Sequence, residues 1–375
     1  MKSPIYLDNH ATTKLDPRAL KAMMPWLTDE YGNPSSRSHS YGWRAEEAVE
    51  AAREHVAALI GASSHEIIFT SGATEANNAV IKGVGTSIVT TRIEHKSVLS
   101  SCGWAQANGR KVSHVGVDLY GALDISGLGC KVMTKPSLIS IMMANNEVGS
   151  IQPLRTVAGM CPTNTLFHSD MAQALGKIPV DVKAEGVHLA SFSAHKLHGP
   201  KGIGALYVAE QVSHKLPAFI HGGGQECGAR SGTLNVPAIV GFGEVCRLAK
   251  QEMFEDMKKV RRMRNLLRDG LQEAVPEIKV HGRDPQLPGT LHIALPCKEM
   301  DIFMAALGEN VAISFGSACM SSSVKKSHVL TAMGMSPEEI NSSVRIGIGK
   351  FNTEEEMSRT VEHITEALGA ASSGG

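Results

Sequence analysis

The sequence predicts an α/β protein with a mostly parallel sheet, followed by a smaller region of mixed α and β structure. In the first half, short β-rich runs alternate with helical patterns, which is the order found in βαβ units. A long, charge-rich helical stretch at 236–273 then separates this half from a region where strands and helices mix. The 375 residues are too many for one small core, so two domains or one large α/β unit are expected.

The elements of the first half can be assigned in chain order. Apolar residues recur at helical spacing across 41–60, and Gly61 ends that helix. Strand-like runs follow, each separated from the next by a helix or a loop. They cover 66–69, 87–91, 111–117, 138–143, 166–168, 189–192 and 205–208.

The second half begins with the helix predicted at 236–273, which connects the two regions. Capping boxes at 336–339 and 353–356 predict the starts of two later helices. Strands are predicted between the helices, at 279–281, 290–294, 312–314 and 344–347.

Composition excludes several classes of protein. Hydrophobic content of 42% and charged content of 20% are those of a globular protein. Thirty-seven basic residues balance thirty-seven acidic ones, so nothing indicates direct binding of nucleic acid or a membrane. Seven cysteines without regular spacing predict neither a disulfide framework nor a structural zinc site. No signal-like or membrane-length apolar run occurs, so a cytoplasmic location is expected.

The most informative residue is a lysine at the end of a predicted strand. Lys196 follows the apolar run 189–192 and precedes the glycine-rich turn 198–202. Burial there lowers the pKa of a lysine and leaves a neutral amine that can attack an aldehyde. This setting suits a lysine that forms a Schiff base with pyridoxal phosphate. A surface lysine after an edge strand is the alternative.

Two segments before Lys196 could surround such a cofactor. The run 69–76 predicts a strand, a tight turn and a helix start, where backbone N–H groups and the Thr74 hydroxyl can hold an anion. Asp170 closes a strand and could keep a pyridine nitrogen protonated, while Gln173 could donate a hydrogen bond to the ring phenolate. Ordinary helix capping is the alternative for the run 69–76 and for Asp170.

Three other residues carry chemical signals. His95 follows the strand 87–91 and could stack on a flat cofactor and shuttle protons, or could be structural. Arg345 lies inside an apolar strand and needs an anionic partner, either a substrate carboxylate or a structural ion pair. Cys319 lies in the small-residue run 316–323, which predicts a mobile exposed loop where a cysteine can act as a nucleophile.

Taken together, these segments resemble the cysteine desulfurases of the NifS/IscS type, a group of pyridoxal-phosphate enzymes among the class V aminotransferases. The likeness covers almost the whole chain and rests on the number, order and spacing of short motifs. These motifs lie at 6–9, 11–13, 32–35, 38–39, 70–75, 94–96, 145–149, 193–196, 222–226, 230–233, 316–319 and 342–345.

The resemblance implies a role for each candidate residue. Lys196 corresponds to the Schiff-base lysine, His95 to the stacking and proton-handling imidazole, and Cys319 to the nucleophile that forms a persulfide. Cys319 could also ligate an iron–sulfur cluster transiently; no other metal ligand is implied. Asn145 and Arg345 match residues that hold the cofactor and the substrate carboxylate. The other implied cofactor contacts are Ala73, Thr74, Asp170, Gln173, Ser193, His195 and, across the interface of a homodimer, Thr233.

The resemblance also implies a fold and a reaction. The fold would be that of the aspartate aminotransferase-like enzymes, with a large cofactor-binding domain at 16–250. Residues 1–15 and 251–375 would form a small domain carrying the Cys319 loop. The enzyme would convert L-cysteine to L-alanine and pass the sulfur to acceptors such as an iron–sulfur scaffold or tRNA-thiolation proteins. A selenocysteine lyase or an aminotransferase of the same fold is the alternative.

Three features depart from the group's pattern. Cys227 stands where the group usually has arginine, and Val324-Lys325-Lys326 stands where relatives carry Leu-Glu-Pro. The sequence also ends soon after its last predicted helix. The last two departures predict a weaker or different interaction with a scaffold protein, and Cys227 predicts altered substrate or dimer contacts nearby.

Overall fold

The computed structural model describes residues 4–84, 86–315 and 326–373. Its strands follow the predicted order, and each strand predicted in the first half is present. Their bounds are β1 Ile5–Tyr6, β2 Ile67–Thr70, β3 Ser87–Thr91, β4 Lys111–Val115, β5 Leu138–Ser140, β6 Leu166–Asp170, β7 Leu189–Ser193, β8 Gly204–Val208, β9 Lys279–His281, β10 Thr290–Ala294, β11 Val311–Ala312, β12 Ser314–Phe315 and β13 Ser343–Gly347.

Helices cover the sheets and connect the strands. No helix among the described ranges is long and apolar enough to cross a membrane. Their bounds are α1 Pro17–Leu27, α2 Ser40–Ile60, α3 Ala73–Gly83, α4 Lys96–Ala107, α5 Ile125–Val132, α6 Leu154–Met160, α7 Val236–Ala274, α8 Met300–Gly308, α9 His328–Ala332, α10 Pro337–Asn341 and α11 Glu354–Ser373.

The central sheet has seven strands within the described residues, in the order β2-β8-β7-β6-β5-β3-β4. Strands β3 to β7 pair in parallel with their neighbours, whereas β8 runs antiparallel to both β2 and β7. Every residue of β6 and β7 is buried, as expected for strands covered on both faces. The mostly parallel α/β fold predicted from the sequence is therefore confirmed.

The second half of the chain contributes a four-stranded antiparallel sheet in the order β12-β13-β10-β9, counted over the described ranges. The single strand expected at 312–314 is wrong in detail, because the chain breaks at Ile313 into two short strands. Strand β11 pairs with β1 in a separate ribbon, while β12 pairs with β13. The two halves of the predicted strand therefore hydrogen-bond to different partners.

Helix α7 spans 39 residues and packs in two hydrophobic clusters. Its first part, from Val236 to Ala249, belongs to the cluster around the central sheet. Its later residues, from Val260 to Leu271, join Ile5, Leu7 and the second sheet. These two clusters support a division of the chain near residue 250, which stays a proposal.

Candidate active site

A cavity of about 610 Å³ lies where β6 and β7 end and α3 and α4 begin. The ends of parallel strands meet at one edge of a sheet, which is the usual place for ligand sites in this class. The N-terminal segment and β13 complete the wall. Among the predicted site residues, those lining the cavity are Ala73, Thr74, His95, Asp170, Gln173, Ser193, His195, Lys196 and Arg345.

Lys196 lies in a short 3₁₀ turn directly after β7. Its Nζ donates hydrogen bonds to the backbone oxygens of His10 and Ala11, at 2.5 and 2.7 Å. Burial, reinforced by the charge of Arg345, lowers the pKa of Lys196 to about 8. The amine is therefore much closer to its neutral, nucleophilic form at physiological pH than an exposed lysine is.

One end of the cavity is formed by the N-terminus of α3, where backbone N–H groups favour an anion. The N-cap residue, Gly72, has no side chain to cap these groups and adopts a φ of 150°. A Cβ on Gly204 would lie 2.6 Å from the Gly72 Cα, so β8 can approach the turn only with a glycine there. Ser193 and His195 line the same cavity. This end therefore suits a phosphate group.

Asp170 lies buried at the end of β6. Its Oδ1 accepts a hydrogen bond from the Ala172 backbone N–H at 3.0 Å, so it also caps the following turn. Its Oδ2 accepts a hydrogen bond from Asn77 Nδ2 at 2.7 Å, and Asn77 Nδ2 also donates to Ser97 Oγ at 2.8 Å. Ser97 Oγ in turn lies 2.8 Å from His95 Nδ1. Asp170 and His95 are thus joined through two intervening side chains.

Gln173 belongs to a second group of linked side chains. Its Oε1 accepts a hydrogen bond from Lys177 Nζ at 2.8 Å and lies 3.3 Å from His10 Nδ1. Its Nε2 donates to the His10 carbonyl oxygen. Burial lowers the pKa values of both Lys177 and His10 well below their usual ranges. The bonds to Lys177 Nζ and to the His10 carbonyl oxygen hold the Gln173 amide in one orientation, with its nitrogen still able to donate a second bond.

Arg345 lies in β13 and forms the structural ion pair that the sequence left as an alternative. Its Nη2 donates to Asp8 Oδ1 and to Ser314 Oγ, both at 2.8 Å. Its Nε is buried and has no partner among the described residues. Arg345 lines the cavity, and its guanidinium keeps one donor without a partner among the described residues.

Two predicted residues within the described ranges do not line this cavity. Asn145 is fully buried. Its Nδ2 donates to the Ile93 backbone oxygen, and its Oδ1 accepts from the Glu147 backbone N–H. The neighbouring Asn146 lines the cavity instead. Thr233 is exposed elsewhere on the surface. Cys319 lies outside the described residues, as do Val324 and Lys325. Cys227, the departure noted above, is exposed at a φ of 53° in a different cleft.

Sequence reasoning missed four residues that the structure brings to the site: Asp8, His10, Asn77 and Lys177. Asn77 had a usable signal, since it interrupts the apolar run 76–81 one helical turn after the predicted anion site. Lys177 follows a glycine in an apolar segment, and nothing local marks it as buried. Asp8 and His10 meet their partners only through contacts distant in sequence.

Known proteins match this chain over almost its whole length. The aminotransferase class-V family matches residues 5–360. A mitochondrial cysteine desulfurase of Arthroderma benhamiae is 48% identical over 377 residues, covering 97% of this chain and 74% of that protein. The cysteine desulfurase IscS of Anaeromyxobacter dehalogenans is 45% identical, covering 98% of this chain and 93% of that protein.

Solved structures agree with these matches. A NifS-like protein superposes with a TM-score of 0.90 at 38% identity, covering 98% of this chain and 99% of that one. A structure described as SspA in complex with cysteine superposes with a TM-score of 0.80 at 33% identity, covering 93% of this chain and all of that one, 100%.

Proposed function

Because this chain belongs to the class-V aminotransferase family and, within it, to the cysteine desulfurases, we propose that it converts L-cysteine to L-alanine. The sulfur would be kept as a persulfide on Cys319. The observation that carries the proposal is the pairing of a weakly basic amine, Lys196, with the carboxylate of Asp170 and the N-terminus of α3 in one cavity. A relative bound to cysteine supports the choice of substrate.

The donor set fits pyridoxal phosphate. The backbone N–H groups at the start of α3, with Thr74, Ser193 and His195, would hold the phosphate, with Ala73 alongside. Lys196 would attach the aldehyde covalently, Asp170 would pair with the pyridine nitrogen, and Gln173 would donate to the phenolate oxygen. Asn145 and a Thr233 supplied by a second subunit stay predicted contacts from the family resemblance.

When bound, the cofactor would supply an electron sink for the substrate's Cα. The residues of the chain would do the rest. Arg345 would orient the substrate carboxylate through its unused Nε donor and its fork geometry. Lys196 and His95 both line the cavity, where Lys196 can take or return a proton and the His95 imidazole can donate a hydrogen bond to the substrate.

Cys319 would accept the sulfur. In that step the Cβ–S bond of the substrate breaks and an S–S bond forms, so cysteine and an enzyme thiol become alanine and an enzyme persulfide. The described residues on either side of 316–325 support this role, because both lie close to residues of the cavity. Ser314 contacts Arg345, and His328 Nε2 lies 2.9 Å from the Glu94 backbone oxygen, next to His95. Five residues from Ser314 to Cys319 can reach at most about 18 Å.

Partners and location are finer points of the same proposal. A homodimer and a sulfur acceptor such as an iron–sulfur scaffold follow from the family resemblance. A cytoplasmic location stays a prediction, since the matched relatives include a mitochondrial enzyme as well as a bacterial IscS protein. The matched relatives do not support the alternative activities, selenocysteine lyase or aminotransferase, and we do not propose them.

The first test uses two variants of the purified protein. Wild type should show the visible absorption band of bound pyridoxal phosphate and release alanine from cysteine. Lys196→Ala should lose the covalently bound cofactor and alanine formation. Cys319→Ser should keep the band but lose sulfide release by at least about 100-fold, because a hydroxyl does not attack sulfur.

The exposed Cys130 provides the control, since Cys130→Ser should behave as wild type. Full sulfide release by Cys319→Ser would contradict the assignment of the nucleophile. A wild-type protein that binds no pyridoxal phosphate would contradict the proposed function as a whole.

A further inference from the structure

A chain of hydrogen bonds runs beneath the cavity from Asp170 to His95, through two residues that the reaction itself does not use. Asn77 is fully buried on α3, and Ser97 is 8% exposed in the first turn of α4. Asn77 Nδ2 donates to Asp170 Oδ2 at 2.7 Å and to Ser97 Oγ at 2.8 Å. Ser97 Oγ lies 2.8 Å from His95 Nδ1.

A fixed backbone donor sets the direction of the bond at His95. The backbone N–H of Ser97 points at His95 Nδ1 at 3.2 Å, and a backbone N–H can only donate, so Nδ1 is an acceptor. The amide nitrogen of Asn77 has two protons, which go to Asp170 Oδ2 and Ser97 Oγ. Because Nδ1 accepts, the Ser97 Oγ proton is donated to it as a second bond.

His95 Nδ1 therefore faces two donors, and an imidazole nitrogen that accepts cannot carry a proton. The neutral ring must then hold its proton on Nε2, the nitrogen left for the cavity. The oxygen of the Asn77 amide is buried without a partner among the described residues. The amide thus contributes to this network through its two donors alone.

We propose that Asn77 and Ser97 are positioning residues that hold His95 as the neutral Nε2–H tautomer, presenting a hydrogen-bond donor to the substrate side of the cavity. The role of His95 toward the substrate rests on the proposed function, whereas the hydrogen bonds that hold its ring do not. A proton added at Nδ1 would meet the Ser97 N–H and Oγ–H, so the arrangement also opposes the imidazolium form. The same Asn77 nitrogen fixes the orientation of the Asp170 carboxylate.

Some of the groups around His95 lower the pKa of its imidazole, and one raises it. Reduced hydration of the ring, together with Lys196, His328 and Lys96, lowers the pKa of His95, while Asp170 raises it. None of these side chains except Asp170 belongs to the network. Removing the Ser97 hydroxyl leaves Nδ1 with one donor, the backbone N–H of residue 97. The Nδ1–H tautomer should therefore become partly populated and the pKa of His95 should rise, without any change in the surrounding charges.

The experiment measures where the ring proton lies. The cofactor-loaded protein is labelled with ¹⁵N-histidine, and the ring signals of His95 are identified by their loss in His95→Gln. Wild type should show an unprotonated Nδ1 and a protonated Nε2 across the neutral pH range. Ser97→Ala should show a mixture of tautomers and a higher His95 pKa, together with a fall in kcat of about tenfold and an acid limb of the kcat profile displaced to higher pH.

Two matched controls separate positioning from folding. Ser101 is a buried serine one turn along α4, and Asn78 is the neighbour of Asn77 on α3. Ser101→Ala and Asn78→Ala should leave the His95 signals unchanged, whereas Asn77→Ala should reproduce the effect of Ser97→Ala.

A protonated Nδ1 in wild type, or Ser97→Ala signals and pH profile identical to those of Ser101→Ala, would overturn the proposal. The ring signals, unlike kcat and its pH profile, do not depend on turnover of cysteine. A protein that keeps the Nε2–H tautomer but makes no alanine would contradict the proposed function and leave the inference standing.

Discussion

Several ionisable side chains around the cavity have pKa values displaced toward their neutral forms. Lys196 and Lys177 are displaced downward, and Glu94, next to His95, is displaced upward. Glu94 Oε1 accepts hydrogen bonds from Thr91 Oγ1 and the Met142 backbone N–H, at 2.7 and 2.9 Å. Burial, with the nearby charge of Asp170, raises the pKa of Glu94 to about 8. This carboxyl is therefore protonated at neutral pH.

The protonated Glu94 should make stability depend on pH. Between the unfolded pKa of about 4.3 and the folded pKa of about 8, the folded protein binds one proton more than the unfolded chain. Its free energy of unfolding should therefore fall as pH rises through this window. Glu94→Gln removes the titrating group, so its stability relative to wild type should grow by up to about 1.4 kcal/mol per pH unit. Urea denaturation at pH 5, 6, 7 and 8 measures the difference.

The exposed Glu47 provides the control, because Glu47→Gln should follow the wild-type curve. Parallel curves for Glu94→Gln and wild type would mean that Glu94 is ionised in the folded protein.

At the scale of elements, the close contact between α2 and α7 depends on a single glycine. Both helices belong to the same hydrophobic cluster. A Cβ on Gly243 of α7 would lie 2.6 Å from both the Cα and the Cβ of Ala52 on α2. Real side-chain contacts do not become that short, so the two backbones approach only because residue 243 is glycine.

We expect Gly243→Ala to lower the free energy of unfolding by about 1–3 kcal/mol, because the helices must separate. Helix propensity alone predicts the opposite sign, a gain of up to about 1 kcal/mol. Gly103→Ala is the matched control, since Gly103 is exposed in α4 and no described atom lies within 4 Å of its Cβ position. Denaturant titrations should show Gly103→Ala equal to or above wild type and Gly243→Ala below it. Equal gains for both would refute the close contact.

At the scale of the whole molecule, the N-terminal segment links the smaller sheets to the cavity. Strand β1 pairs with β11, and Asn9 Nδ2 donates to the Gly347 backbone oxygen of β13 at 2.8 Å. A few residues further on, the backbone oxygens of His10 and Ala11 accept bonds from Lys196. Movement of this segment would therefore disturb both the second sheet and the amine of Lys196.

Thr13 anchors the segment to the turn that carries Lys196. Its Oγ1 donates to the His195 backbone oxygen and accepts from the His198 backbone N–H, both at 2.8 Å. Thr13→Val keeps the shape but leaves the buried His198 N–H unpaired, so we expect a loss of about 1–3 kcal/mol in the free energy of unfolding. Thr134→Val, which removes an exposed hydroxyl bond to Lys131, should stay within about 0.5 kcal/mol of wild type. Equal denaturation midpoints for the two variants would contradict this role.

Much of the fold was predictable because its signals are local. Residue patterns located the strands after β1 and the helices α2 and α7, and the capping box at Ser336 and Glu339 forms as predicted. The strand-end positions of Asp170 and Lys196 followed from the same patterns. The exception at 312–314 shows the limit, since periodicity identifies an extended segment but not which edge it pairs with.

The sequence by itself determined the order of the elements, the strand ends that carry Lys196 and Asp170, and the strand that contains Arg345. Only the tertiary structure decided how those residues are held. The bond from Asn77 to Asp170 joins residues 93 positions apart, and that from Arg345 to Asp8 joins residues 337 positions apart. Such bonds exist because packing brings distant segments within about 3 Å of each other, and their directions follow from which atoms are then buried together. Residue patterns along a chain report its local preferences, and they carry no measure of that approach.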